Sequence, residues 1–279
     1  MRAEKPEVLD HGRMLANPSF APLLRAHGLD TFERVMDFSG GRVARDFPGR
    51  RTVRLELAGP DEAKTGFYLK RYFDNYLSPA RRMLRRLRWP GTEDEAWREW
   101  TMLHAVLKAG IPTATPVALG QESPGGHGIR SWLMTREIPG AVEGDQFVLT
   151  LDSTARRRFL LRVAELARRF HAAGLVHKDF YLAHVLAVPG SAEPEMFLID
   201  LQRVMRPCCL RNRWQVKDLA ALAYSALKAG ATREDLCAAF AIYLDSPDSD
   251  ARLARDIDRR VDWLRTRRPR HDANFQQLQ

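Results

Sequence analysis

Apolar positions change their period at one point in the chain. Before Pro139 alternating stretches dominate, with a helix embedded among them, and after it helical spacing of three to four residues dominates. Alternation is clearest in Thr52-Val53-Arg54-Leu55-Glu56-Leu57, where Val53, Leu55 and Leu57 share one face of a strand. Phe67-Tyr68-Leu69-Lys70 predicts a second strand, joined to the first through the loop from Gly59 to Gly66 as an antiparallel hairpin. Arg42 to Arg45 predicts a strand ahead of a turn at Pro48-Gly49, and residues 18–37 predict two short helical pieces split near Gly28-Leu29-Asp30. Residues 93–109 predict a helix, with Glu93, Asp94 and Glu95 in the first turn, where the helix dipole favours acids, and Gly110 beyond its end. A Pro-interrupted connection with a short strand follows over Ile111 to Gly120, then a strand over Ser131 to Thr135. Beyond Pro139-Gly140, Phe159, Leu160, Val163, Leu166, Ala167 and Phe170 place a helix over 153–173, with Ser153 or Thr154 as its N-cap and Gly174 as its C-cap. Strands at 186–188 and 196–199 and helices near 214–228, 232–244 and 249–266 complete the pattern.

Composition narrows the class. With 279 residues, 45% hydrophobic and 28% charged, the chain can build a core, which excludes disorder throughout. A net charge of +9 calls for a partner bearing negative charge: a nucleotide, a phosphorylated substrate, an anionic membrane surface or nucleic acid. Three cysteines, two of them adjacent at Cys208 and Cys209, make neither a disulfide framework nor a zinc spacing, and a reducing compartment fits best. The charged N-terminus lacks a signal-peptide core, and the longest apolar run, Leu236 to Leu244, is too short for a membrane span. A soluble, cytoplasmic protein is expected, with a peripheral membrane contact as an option.

The chemistry concentrates between residues 175 and 202. Leu175-Val176-His177-Lys178-Asp179-Phe180-Tyr181-Leu182-Ala183-His184 lies between a helix and a short strand, and a later strand runs into Ile199-Asp200. Two aspartates on strand-associated loops are what phosphoryl transfer requires. One carboxylate orients and deprotonates the attacking hydroxyl; the other holds the metal that neutralises the triphosphate. Lys70, on an upstream strand, is placed to hold nucleotide phosphates, and Glu99 or Glu95 on the next helix is available to pair with it.

These residues resemble the kinase-like fold, and within it the lipopolysaccharide core kinases, which phosphorylate a heptose or a neighbouring Kdo sugar of the inner core. The resemblance runs through Phe67-Tyr68-Leu69-Lys70-Arg71, Glu99-Trp100 with Ala109-Gly110-Ile111-Pro112-Thr113, His177-Lys178-Asp179 with Tyr181 and His184, Ile199-Asp200, and Arg213-Trp214 with Lys217-Asp218-Leu219. One such motif is weak; five in order over roughly residues 30–245 are strong. It implies an α+β, two-lobed protein-kinase-like fold, with a β-rich nucleotide-binding lobe over 1–137 and an α-rich catalytic lobe over 138–279. By the same resemblance Asp179 is the catalytic base, Asp200 the magnesium ligand, Lys70 the phosphate-binding lysine and Glu99 its partner. The backbone around Thr135, Glu137 and Ile138 meets the adenine edge of ATP in a cleft. His184 falls where protein kinases place a metal-binding asparagine; it meets Mg²⁺, or it meets phosphate in some other way. His177 and Asp218 read as structural braces of the loop. The Gly-x-Gly-x-x-Gly loop of protein kinases is missing, and Gly40-Gly41 is the pair that lets backbone approach phosphate. Gln202 replaces the glycine that would allow a backbone switch after Asp200-Leu201, so constitutive activity is expected.

The expected cofactors are ATP and Mg²⁺, and the expected acceptor is the lipid-linked inner-core oligosaccharide. The alternatives are a kinase-like enzyme acting on a protein or small molecule, and a non-catalytic binding module that kept the fold. Arg81, Arg82, Arg85, Arg86 and Arg88 alternate with Met83, Leu84 and Leu87, which is either a solvated helix face or an interfacial helix on anionic headgroups. No recognition-helix or stacking pattern accompanies them, so no nucleic acid is expected. Arg265 to Arg270 reads as a solvated tail. Cys208 and Cys209 are expected to be inert unless Arg206 and Arg211 lower a thiol's pKa.

Overall fold

The alternating half of the chain forms an antiparallel sheet and the helical half a bundle beside a small second sheet. The structure, a computed structural model, describes residues 5–59, 62–73, 94–122, 130–190, 193–209, 211–244 and 251–267. It divides into two compact units. The first comprises Met1–Lys108 and Thr113–Pro139, the second Ala109–Pro112 and Gly140–Gln279.

In the first unit, β1 (Glu7–Leu9), β2 (Met14–Ala16), β3 (Arg42–Phe47), β4 (Arg50–Ala58), β5 (Lys64–Phe73), β6 (Pro116–Gln121) and β7 (Arg130–Arg136) make one sheet, in the order β1-β2-β6-β7-β5-β4-β3. The hairpin read from the sequence is β4–β5, in a register that sets Lys70 opposite Thr52. On the other side Lys70 faces Leu133 of β7, so the lysine sits on an interior strand with both edges paired. Period two then sorts the side chains of β5. Phe67 and Leu69 are fully buried in a core with Leu55, Trp132 and Met134, while Tyr68, Lys70 and Tyr72 share the opposite face. Burial of a side chain such as Phe67 or Leu69 stabilises the unit by about 1.5–3 kcal/mol. Helices α1 (Ala21–Ala26) and α2 (Phe32–Met36) add Leu24, Phe32 and Val35 to the same core. The strands β1 and β2 carried no signal in the sequence, because three residues each are too few to show a period.

The helix expected over 93–109 is α3 (Glu95–Lys108). The carboxylate of Asp94 accepts from the Trp97 N–H at 2.8 Å and so caps its first turn. Ala96, Glu99, Trp100, Leu103 and Val106 form its buried face. A glutamate on that face is out of pattern, and a buried charge of this kind needs a partner.

The second unit opens with β8 (Val142–Glu143) and α4 (Gly144–Leu149), both too short to be read from the sequence. Then comes α5 (Ser153–Ala172), whose buried face is the one predicted. Its N-cap is Asp152 rather than Ser153 or Thr154: the Asp152 carboxylate accepts from the Ala155 N–H at 2.8 Å. Three adjacent residues can all cap, and an ionised acceptor wins at the positive end of the helix dipole. At the other end Ala173 is the C-cap, and Gly174, with φ +77°, is the left-handed residue just beyond it. Strands β9 (Val185–Val188) and β10 (Glu195–Leu198) pair with β8 in the order β10-β9-β8. Helices α6 (Arg211–Lys228), α7 (Arg233–Leu244) and α8 (Ala251–Arg267) follow. Leu160, Val163, Leu219, Leu222, Phe240 and Val261 of these helices and α5 line a cavity of about 390 Å³.

Candidate active site

In the first unit the buried glutamate finds its partner. Lys70 Nζ donates to Glu99 Oε1 at 2.5 Å, with the glutamate side chain only 3% exposed. Glu95 is not the partner of Lys70. The second oxygen, Glu99 Oε2, accepts from the Tyr72 hydroxyl at 2.8 Å. Tyr72 follows Lys70 by one strand period, so both reach α3 from the same face of β5. Burial, reinforced by the Glu99 charge, pushes the Tyr72 phenol well above its ordinary pKa, which keeps it a donor. The lysine is thus oriented by a carboxylate that is itself held in place.

The other candidates in this unit are used unequally. Glu137 accepts from Arg54 Nε at 2.7 Å and Nη2 at 2.8 Å. Its backbone N–H donates to the Gly66 carbonyl at 2.9 Å, and that of Arg136 donates to the Thr115 carbonyl at 2.9 Å. Thr135 sits in the ladder opposite Tyr68. The sheet therefore consumes the N–H of Glu137, and Ile138 supplies the next N–H along the chain. Gly41, at φ +92°, stands so near β4 that a Cβ would lie 2.5 Å from the Arg54 carbonyl. Its freedom is spent on strand contact, as Gly40-Gly41 precedes β3, whereas the β3–β4 turn is Pro48-Gly49.

In the second unit the loop from His177 to His184 is held from below. Asp218 of α6, fully buried, accepts from the N–H of His177 at 2.6 Å and of Lys178 at 2.7 Å. His171 of α5 lies 3.2 Å from the same carboxylate through Nε2 and 2.9 Å from the Tyr243 hydroxyl through Nδ1. The carboxylate only accepts, so Nε2 carries the proton and Nδ1 accepts from tyrosine. Seven residues on from Asp218, Ser225 Oγ accepts from the Leu182 N–H at 2.9 Å. Gly144 lets α4 approach the loop, since a Cβ there would lie 2.7 Å from the Leu182 carbonyl. The clamp holds Lys178 at φ +69°, a conformation that costs a non-glycine residue roughly 1–3 kcal/mol.

His177 is a brace, as its sequence context implied. It is fully buried, and its Nε2 donates to the Ile199 carbonyl at 3.0 Å. Burial lowers its pKa, helped by nearby His184, so the ring stays neutral. Ile199 also donates its N–H to the His184 carbonyl at 2.9 Å. The two loops are thereby stitched together just ahead of Asp200, which is left-handed at φ +60°.

His184 joins the two aspartates. Its Nδ1 contacts the Asp179 carbonyl at 2.6 Å, and its Nε2 lies 3.6 Å from Asp200 Oδ2. A carbonyl cannot donate, so Nδ1 holds the proton, and a neutral ring turns the lone pair of Nε2 toward a carboxylate. Those two acceptors face each other favourably only with a cation or a proton between them. Among the described residues no group of three or more His, Cys, Asp or Glu side chains is placed to hold a metal. One carboxylate with water and phosphate oxygens is the donor set that Mg²⁺ accepts, and an imidazole is its weaker member. Asp179, the expected base, carries the Arg203 guanidinium, with Nη1 at 2.9 and 2.7 Å from its two oxygens. Arg203 was not singled out in the sequence; the available signal is an arginine three residues after Asp200.

The Cys209 thiol is not activated. Arg206 and Arg211 donate to the carbonyls of Ala173 and His171, and the Cys208 thiol beside Cys209 pushes the Cys209 pKa up. The arginine cluster over residues 81–88 lies outside the described residues.

A sequence model of the lipopolysaccharide kinase (Kdo/WaaP) family matches residues 39–243, which takes in the β5 lysine, both loops and α6. The chain belongs to that family. Among curated family relatives, the lipopolysaccharide core heptose(I) kinase WaaP of Escherichia coli is 30% identical over 240 residues, covering 83% of this chain and 87% of its own. The protein of the same name from Pseudomonas aeruginosa is 30% identical over 261 residues, covering 88% and 94%. A solved structure, WaaP in complex with acyl carrier protein, superposes with a TM-score of 0.69 at 28% identity, covering 90% of this chain and 99% of that one. The α+β, protein-kinase-like fold of the lipopolysaccharide kinases is therefore the fold of this chain, and the chain is a phosphotransferase.

Proposed function

We propose that this lipopolysaccharide kinase transfers the γ-phosphate of ATP to a heptose hydroxyl of the lipopolysaccharide inner core. The observation that carries the reading is the pair of stitched loops that present Asp179 and Asp200 through one histidine. Asp179 orients the heptose hydroxyl and takes its proton as that oxygen bonds to the γ-phosphorus and ADP leaves. Asp200, with His184 beside it, would hold Mg²⁺, which when bound neutralises the phosphate charge. Lys70, fixed by Glu99, binds phosphate oxygens. The Ile138 N–H meets the adenine edge, and the Pro48-Gly49 turn rather than Gly40-Gly41 covers the phosphates.

The acceptor is lipid-linked. Among the described residues no helix is long and apolar enough to cross a membrane. The net charge of +9 and the arginines of 81–88 support a contact with anionic lipid at the cytoplasmic face of the inner membrane. An acyl carrier protein is a second partner by extension from the solved relative, and the apolar cavity of about 390 Å³ has the character to take an acyl chain.

Incubation with γ-labelled ATP, core oligosaccharide and a generic protein acceptor tests the reading. Label in the sugar fraction, lost on chelation of Mg²⁺, is expected; label in the protein alone would overturn it. Lys70→Met removes one charge-assisted phosphate contact and is expected to raise the KM for ATP by about tenfold or more, as steady-state kinetics would show.

A further inference from the structure

The base proposed for the reaction is not open to a substrate hydroxyl. Arg203 spans both oxygens of Asp179. A hydroxyl must come within about 2.6–3.2 Å of that carboxylate to give up its proton, so the guanidinium has to withdraw first. It is free to do so: the Arg203 side chain is 55% exposed, and an exposed ion pair is weakly held. A guanidinium withdrawn from one carboxylate is best satisfied by another, because its fork matches that geometry with two parallel hydrogen bonds.

The surroundings favour an incoming anion. Lys217 of α6 is partly buried and feels the charges of Asp179 and Asp218 as well as those of Arg203 and Arg260. The ammonium groups of Lys178 and Lys217 lie over the Trp214 ring, 5.5 and 5.9 Å from its centre. Asp179 thus sits where Lys178, Lys217, Arg203 and Arg260 outnumber it and the buried Asp218, and releasing Arg203 leaves an excess of positive charge beside the place where the acceptor sugar must dock. A carboxylate on a sugar beside the acceptor hydroxyl would supply that complement.

We propose that Arg203 is a positioning residue that blocks Asp179 until a carboxylate of an acidic sugar next to the acceptor heptose takes its guanidinium. This inference rests on the sugar-kinase reading above and adds to it a recognition element: the acidic neighbour unmasks the base. With the sugar carboxylate bound by Arg203, the heptose hydroxyl reaches Asp179, its proton passes to the Asp179 carboxylate, the new O–P bond forms, and the bond to the ADP oxygen breaks. Without it, Asp179 stays covered, and hydrolysis of ATP by water is held back as well.

The test compares two heptosyl acceptors that differ only in the neighbouring sugar, one with its carboxylate intact and one with that group reduced to an alcohol. For the wild-type protein kcat/KM is expected to favour the acid by about 10–100-fold, the size of a charge-assisted contact. Arg203→Gln is expected to abolish the preference and to raise ATP hydrolysis in the absence of acceptor, while Arg203→Lys keeps part of the preference. A merely structural arginine would lower turnover of both acceptors alike and leave their ratio unchanged. A preference that persists in Arg203→Gln, or a wild-type protein that uses both acceptors equally, overturns the proposal and leaves the sugar-kinase reading standing. Phosphorylation of neither acceptor by the wild-type protein overturns both.

Discussion

Asp179→Ala is expected to lower sugar phosphorylation by roughly 10²–10⁴-fold, the worth of a positioned general base, while the protein stays folded. Its side chain pairs with the exposed Arg203, and exposed pairs contribute about 0–1 kcal/mol. The conformation of the loop is set elsewhere, by backbone bonds to Asp218 and by the His184 contact to the Asp179 carbonyl, which alanine retains. Asp179→Asn is the matching control, since it keeps the size of the side chain and loses the basicity. Kinetics beside a melting curve check the pair. Near-normal turnover in either variant, with an unchanged melting temperature, would mean that another group takes the proton.

Asp218→Ala is expected to act on stability first. Its carboxylate is fully buried and satisfies two backbone N–H groups and His171. Alanine leaves those donors buried and unpaired, and removing one partner from a buried charged network costs about 3–5 kcal/mol. For a unit of this size that corresponds to a melting temperature lower by roughly 6–20 °C. Activity falls too, because Lys178 is no longer held in its left-handed conformation next to Asp179. Asp218→Asn keeps one acceptor oxygen and is expected to fall between. An unchanged melting temperature for Asp218→Ala, read by differential scanning fluorimetry, would contradict the role of this residue as the clamp of the loop.

The two variants separate what a sequence displays from what it conceals. Lys70, Asp179 and Asp200 stand out because each lies in a short run whose local pattern fixes it to a strand or to the loop beside one. The hairpin of β4 and β5 was visible for the same reason. Glu99 stood one helical turn from Glu95, and the choice between them depended on which side chain α3 turns toward β5. Contacts between distant segments left less trace. Tyr72 reaches Glu99 across 27 residues and Arg203 reaches Asp179 across 24, while Asp218, which reaches the His177 N–H across 41, was legible only through the family resemblance. Their partners follow from packing, which no local period encodes. At Gly40-Gly41 the glycine pair suggests a phosphate loop, and the left-handed φ of Gly41 lets backbone approach β4 closely; the β3–β4 turn was legible from its Pro48-Gly49 pair.

Mass analysis of phosphate-free core oligosaccharide after incubation with Mg²⁺ and ATP tests the central claim most directly. The account predicts the gain of one phosphoryl group on a heptose with the wild-type protein and none with Asp179→Ala. An unchanged mass with the wild-type protein, or the same gain with Asp179→Ala, would contradict it.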